Sequence, residues 1–217
     1  MRSASGVRNV MNHRLAKALN ETKTLRILLS ALALILAPGC EQSGSGVSEA
    51  RPLPVARRGT ADQSLRDAAF AGQIAQARGA LGQGVDVNAT DEENRTALML
   101  AAFNDSADVA KLLLDRGARV DDRDNAGRTA LLYAASGPNA KTVRLLLGQG
   151  ANVNATDNGE GWTALMFAAA EGHADVVRTL LEHEADASIQ DVDGETALKF
   201  ATDKGHTEVI GVLKKAP

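Results

Sequence analysis

Between Leu65 and Leu213 small and apolar residues come in short packets separated by polar turns, and the packets recur at a fixed distance. Thr96-Ala97-Leu98, Thr129-Ala130-Leu131, Thr163-Ala164-Leu165 and Thr196-Ala197-Leu198 follow one another at intervals of 33, 34 and 33. A second series, Gly117-Ala118-Arg119-Val120-Asp121, Gly150-Ala151-Asn152-Val153-Asn154 and Glu184-Ala185-Asp186-Ala187-Ser188, repeats at 33 and 34, and Gly84-Val85-Asp86-Val87-Asn88 stands 33 residues before it. Two independent series share one inserted residue, between Asp157 and Thr163, which marks a turn. Each unit predicts two short helices. Thr96, Thr129, Thr163 and Thr196 stand where a hydroxyl accepts from the free amides of a first helical turn. Ala101-Ala102, Ala134-Ala135 and Ala168-Ala169 keep that helix slim. Leu clusters at 112–114, 145–147 and 180–181 give a second helix its apolar face. Gly84, Gly117 and Gly150 end it in the left-handed conformation that glycine adopts without strain. Glu184 replaces that glycine, at a cost of about 1 kcal/mol.

The residues Thr-Ala-Leu, the Ala pairs, the Leu clusters, the terminating glycines and the Gly-His pairs at His173 and His206 resemble the ankyrin repeat across residues 62–217. The resemblance implies an all-α solenoid of five helix-turn-helix repeats with short β-turn fingers, at 62–92, 93–125, 126–158, 159–192 and 193–217. The first and last are degenerate and suit the ends of a stack. The usual Pro and His of the family's opening motif are absent. Ala97 and Met99, Ala130 and Leu132, Ala164 and Met166, and Ala197 and Lys199 stand in their place, which weakens the expected hydrogen-bond network.

Composition fits thin layers. Aromatics are 3% of the chain, so Ala, Leu and Val must fill the core. A net charge of -3 gives no support to binding a phosphate backbone. Nucleic acid is not an expected partner.

The N-terminal part reads differently. Leu25 to Ala37 is apolar, follows Arg14, Lys17, Lys23 and Arg26, and has the pattern of a secretory signal. Its apolar run falls short of the roughly 20 residues needed to span a bilayer. The segment ends in Ala37-Pro38-Gly39-Cys40, and Cys40 is the only cysteine. This end resembles a bacterial lipobox, though the usual Leu three places before the cysteine is Ala37. The resemblance implies lipid attachment at Cys40, with Glu41 after it favouring the outer membrane. Translation from Met1 or from Met11 leaves the reading the same. Residues 41–61 read as a Ser/Gly/Pro-rich tether. Without residues 1–40 the chain keeps 18 basic and 26 acidic residues, and the exported part is more acidic.

Candidate chemistry is sparse. No glycine-rich phosphate loop, metal-ligand cluster or thiol beyond Cys40 is legible, so neither catalysis nor a cofactor or metal is expected. His173 and His206 read as structural, and His183 as exposed near a helix end. Asn-Ala-Thr at 88–90 and 154–156 reads as turn sequence. Asp91, Asp124, Asp157 and Asp191 read as turn residues that bond their own backbone. By the family's pattern, binding uses the finger tips and exposed first-helix positions on an extended concave surface. Those positions are Glu92, Glu93, Arg95, Phe103 and Asn104; Asn125, Arg128 and Ser136; and Glu160, Trp162 and Glu171. Trp162 leads, because interface hot spots favour tryptophan and arginine. Tyr133 falls where the pattern is usually buried and is expected in the core. The expectation is a monomeric protein-binding module on the periplasmic side of the envelope. The competing one is a protective role there, binding a toxin or accompanying a stress enzyme.

Overall fold

The structure, a computed structural model, describes residues 55–216. The signal expected at 1–40, with Cys40, and residues 41–54 lie outside the described residues.

Ten helices occupy the described part. They are α1 (Val55–Phe70), α2 (Ile74–Gly82), α3 (Ala97–Phe103), α4 (Ala107–Leu114), α5 (Ala130–Ala135), α6 (Ala140–Gly148), α7 (Ala164–Glu171), α8 (Ala174–Glu182), α9 (Ala197–Lys204) and α10 (Thr207–Leu213). They pair as five helix-turn-helix units. Within each unit the two helices pack together. Between units, first helices meet first helices (α1, α3, α5, α7, α9) and second helices meet second helices. The result is two helical layers joined along one edge by turn-like fingers. No helix among the described residues is long and apolar enough to cross a membrane. One boundary differs from the expected tether of 41–61: α1 already begins at Val55. Val55-Ala56-Arg57-Arg58 follow Pro52 and Pro54, and proline is tolerated before or at a first turn while Ala and Arg favour helix.

Alanine and leucine make the core. Ala69, Ala102, Ala135 and Ala169 are fully buried between first helices, and Leu98, Leu131 and Leu165 fill the space behind them. A ring at any of these alanines would force the layers apart. A Leu→Ala change at the buried leucines costs about 3 kcal/mol through lost burial and the cavity left behind.

Helix starts are less uniform than the repeated threonine implies. Thr96 and Thr163 accept from Met99 N and Met166 N at 3.3 Å, and their own N–H groups donate to the Met99 and Met166 thioethers at 3.5 Å. Thr129 and Thr196 make no such side-chain bond. Leu132 and Lys199 stand where the sulfur would be, and the Lys199 N–H turns to the Thr196 carbonyl at 3.0 Å. The capping expected of four threonines therefore holds at two. At Thr96 and Thr163 the methionine sulfur is the acceptor, and a weak one.

The helix ends follow the pattern. Gly117 and Gly150 have φ of 85°, and Ala118 and Ala151 donate back to Leu113 and Leu146. Glu184 closes α8 the same way at φ 64°, with Ala185 donating to Leu180. The fold forces the glutamate into the left-handed region.

Repeats are also stapled to their neighbours. Asn88, Asp121 and Asn154 accept the backbone N–H of Arg119, Asn152 and Asp186 in the next repeat. The two Asn-Ala-Thr triplets thus supply inter-repeat latches. At the start of the second helices, the buried Asn139 donates to the Ala102 carbonyl at 3.1 Å. His206 Nε2 lies 3.1 Å from the Ala170 carbonyl and so carries its proton there. His173 and His206 are the residues immediately before α8 and α10.

Candidate protein-binding face

The fingers are rigid because each is closed from within and tied to the next. Asp91 Oδ1 accepts from the N–H of Glu93 and Arg95, Asp124 Oδ1 from Ala126 and Arg128, and Asp191 Oδ1 from Asp193 and Glu195. Asp157 Oδ1 accepts from Trp162 N across the longer fourth finger. The row of aspartates is consumed in this turn geometry. From tip to tip, Asn125 N donates to Glu93 O, Asn158 N to Ala126 O and Val192 N to Glu160 O. Side chains reinforce the second and third tips, since Asn125 donates to Glu92 O and accepts from Asn94. Such preorganisation lowers the entropic cost of binding.

Above the fingers run the aromatics. The chain holds four Phe, one Tyr and one Trp, and all six lie on first helices or, for Trp162, on a finger. They form two groups. Phe70 stacks on Phe103 with ring centres 6.3 Å apart, and Phe103 meets the edge of Tyr133 at 6.1 Å. Trp162 packs on Phe167 at 5.0 Å and on Phe200 at 4.5 Å. Phe103 is 44% exposed, although it is a large apolar side chain in an otherwise well-filled fold. Val192 at the fifth finger is 66% exposed beside Gly161.

Sequence reasoning placed Trp162 and Phe103 on this face, and the structure gives each a distinct setting. Trp162 is half-buried, and its Nε1–H donates to Asp191 Oδ2 at 3.2 Å, so the fourth finger is locked to the fifth. Phe103 is open to solvent on one side. Glu92, Glu93, Glu160 and Glu171 are exposed. Asn104 is exposed and holds the Phe70 carbonyl at 2.6 Å. Ser136 is half-buried and donates to Tyr133 O at 2.8 Å. Arg95 is clamped by Asp91 at 2.8 Å and Glu93 at 3.2 Å. Burial alone would lower its pKa, but the bond to Asp91 and the charges of Asp91 and Glu93 outweigh that and raise it. Arg128 lies over the Tyr133 ring, 6.0 Å from its centre.

Tyr133, expected in the core, packs against it. It is half-buried rather than enclosed, it forms the third ring of the first aromatic group, and its hydroxyl donates to Asp124 Oδ2 at 2.7 Å. Burial, then the bond to Asp124 and its negative charge, raise the phenol well above its ordinary pKa against the opposing charge of Arg128. Phe70, Phe167 and Phe200 were passed over. A usable signal existed in the repeat register. Tyr133, Phe167 and Phe200 each stand four residues after their threonine, and Phe103 stands seven after Thr96.

Comparison with known families agrees with this architecture. The family described as ankyrin repeats (3 copies) matches residues 65–157 and 139–216, together more than two thirds of the chain. The chain belongs to the ankyrin-repeat family. Ankyrin-repeat proteins generally mediate protein–protein interaction and typically act as non-enzymatic binding modules. No curated protein matches this ankyrin chain.

Proposed function

We propose that this ankyrin domain works as a monomer that holds a partner protein against the face built from its fingers and first helices. One observation carries the reading. A chain with very few aromatic residues puts none between the second helices, and five of the six stand half-buried or exposed along that face, with Phe200 buried against Trp162. Burial alone would not distribute them so, since apart from Phe200 the core is completed by Ala, Leu, Val and Met. Large rings and arginines on a rigid frame are the groups that dominate interface energetics. The half-buried Trp162 and Tyr133 anchor the two aromatic groups, while Phe103, Glu92, Glu93, Asn125, Arg128 and Glu160 supply contacts.

The second part of the proposal concerns place. The basic flank, the short apolar run and the lipobox-like end at Cys40 support export and lipid attachment, with the domain tethered on the periplasmic side of a bacterial outer membrane. There the domain recruits or stabilises its partner beside the membrane.

The two parts are tested separately. Quantitative capture of the partner with the wild-type domain and with Phe103→Ala should show at least a fivefold loss, an effect of about 1 kcal/mol. Equal capture, with unchanged thermal stability of the variant, removes this face from the account. Cys40→Ser should move the protein from the membrane fraction to the soluble periplasm, and retention at the membrane contradicts the anchor.

A further inference from the structure

The partner's chemistry is constrained by how charge is distributed and how the cations on the face are already used. Residues 85–95, 118–128, 151–162 and 185–195, which make up the second to fifth fingers, hold 13 Asp and Glu against 4 Arg and no Lys. The second helices α2, α4, α6, α8 and α10 hold 4 acidic and 5 basic residues. The domain is thus polarised, with its negative charge gathered beside the aromatic rings.

Three of the four finger arginines are paired within the domain. Arg95 is clamped by Asp91 and Glu93. Arg119 pairs with Asp122. Arg123 donates to the carbonyls of Gly127 and Thr156. Arg128 lies against Tyr133, with its buried Nε unpaired among the described residues. By contrast, Glu92, Glu160 and Asp193 are exposed and have no ion-pair partner among the described residues. An acidic partner would meet unpaired carboxylates and would have to break existing contacts to reach any finger cation but the half-buried Arg128. An uncharged apolar segment would cover Phe103 but would strip water from the carboxylates at its edge without replacing it. A basic segment meets both conditions, since guanidinium and ammonium groups pair with carboxylates and also lie favourably on aromatic faces.

Building on the binding face described above, we propose that the segment held there is an extended, arginine- or lysine-bearing peptide of the partner. Its cationic heads lie among Glu92, Glu93 and Glu160, and its apolar stems cover the Phe70, Phe103 and Tyr133 rings.

The test uses the domain with its tether and three short peptides: one alternating arginine with small apolar residues, its glutamate counterpart and its glutamine counterpart. Fluorescence anisotropy should show binding of the arginine peptide alone, with affinity falling as salt is raised. Phe103→Ala should weaken it by roughly fivefold through loss of the ring contact. Glu92→Gln with Glu93→Gln should weaken it and flatten the salt dependence, whereas Asp108→Asn on α4 should leave it unchanged. Tighter binding of the glutamate or glutamine peptide, lost on Phe103→Ala, overturns the basic partner while the binding face stands. Failure of the arginine peptide to bind also overturns it. Binding of the arginine peptide that ignores Phe103 but falls with Asp108→Asn overturns both, because charge alone would then be attracting the peptide to the whole surface.

Discussion

The Tyr133 hydroxyl donates to Asp124 Oδ2 at 2.7 Å, while Oδ1 of the same carboxylate closes the third finger by accepting from Ala126 and Arg128. One aspartate therefore holds both a finger and an aromatic ring of the face. Tyr133→Phe keeps the ring and removes the bond, and it should cost about 1–2 kcal/mol in denaturant unfolding. The pH dependence has a defined sign. The folded phenol is raised above its ordinary value, so the fold binds its proton more tightly than the unfolded chain does. That stabilisation is complete below about pH 10, where the unfolded phenol is protonated, and it is lost as pH rises further. Tyrosinate absorbance should thus appear together with unfolding, and Tyr133→Phe should abolish this part of the alkaline loss.

The threonine series gives a contrast between two chemically identical substitutions. Thr96 caps α3 through Met99, so Thr96→Ala should cost about 1 kcal/mol. Thr129 is buried, and its hydroxyl has no partner among the described residues. Thr129→Ala removes an unsatisfied group and should be close to neutral. Equal losses at both sites in chemical denaturation would refute the difference.

At the junction of repeats four and five, Glu184 sits at φ 64° with its side chain exposed. Glu184→Gly should raise stability by about 0.5–1 kcal/mol, visible as a higher melting temperature. A fall would mean that the glutamate makes a compensating contact.

Trp162 joins the same two repeats through Phe167, Phe200 and Asp191. Trp162→Ala should destabilise the domain by about 3 kcal/mol, with hydrogen exchange quickening first in α9 and α10. Uniform exchange across all repeats would contradict that local role. Partner binding is therefore better tested at Phe103, where truncation removes little packing.

The repeat lengths, the layered helices, the closing glycines and the strain at Glu184 were all legible in the sequence, because each rests on local chemistry that recurs at a fixed period. Other features needed coordinates. Thr129 carries the same signal as Thr96, and only the residue three places on, Leu132 rather than Met99, separates a bare helix start from a capped one. Trp162 occupies a position variable between repeats, and its bond to Asp191 crosses 29 residues of sequence. Tyr133 resembles a buried residue by position, yet its hydroxyl requires a polar partner and draws it towards the finger. The residues 55–61 carry no apolar periodicity, so their helix was not apparent as an extension of α1.

The central claim is that the partner meets the fingers and first helices and not the second-helix layer. A photo-crosslinking amino acid placed at Phe103, and separately at the exposed Lys141 of α6, tests it in the cells that make the protein. A single discrete adduct from position 103, absent from position 141, is the predicted result. The same adduct from position 141 alone would contradict it.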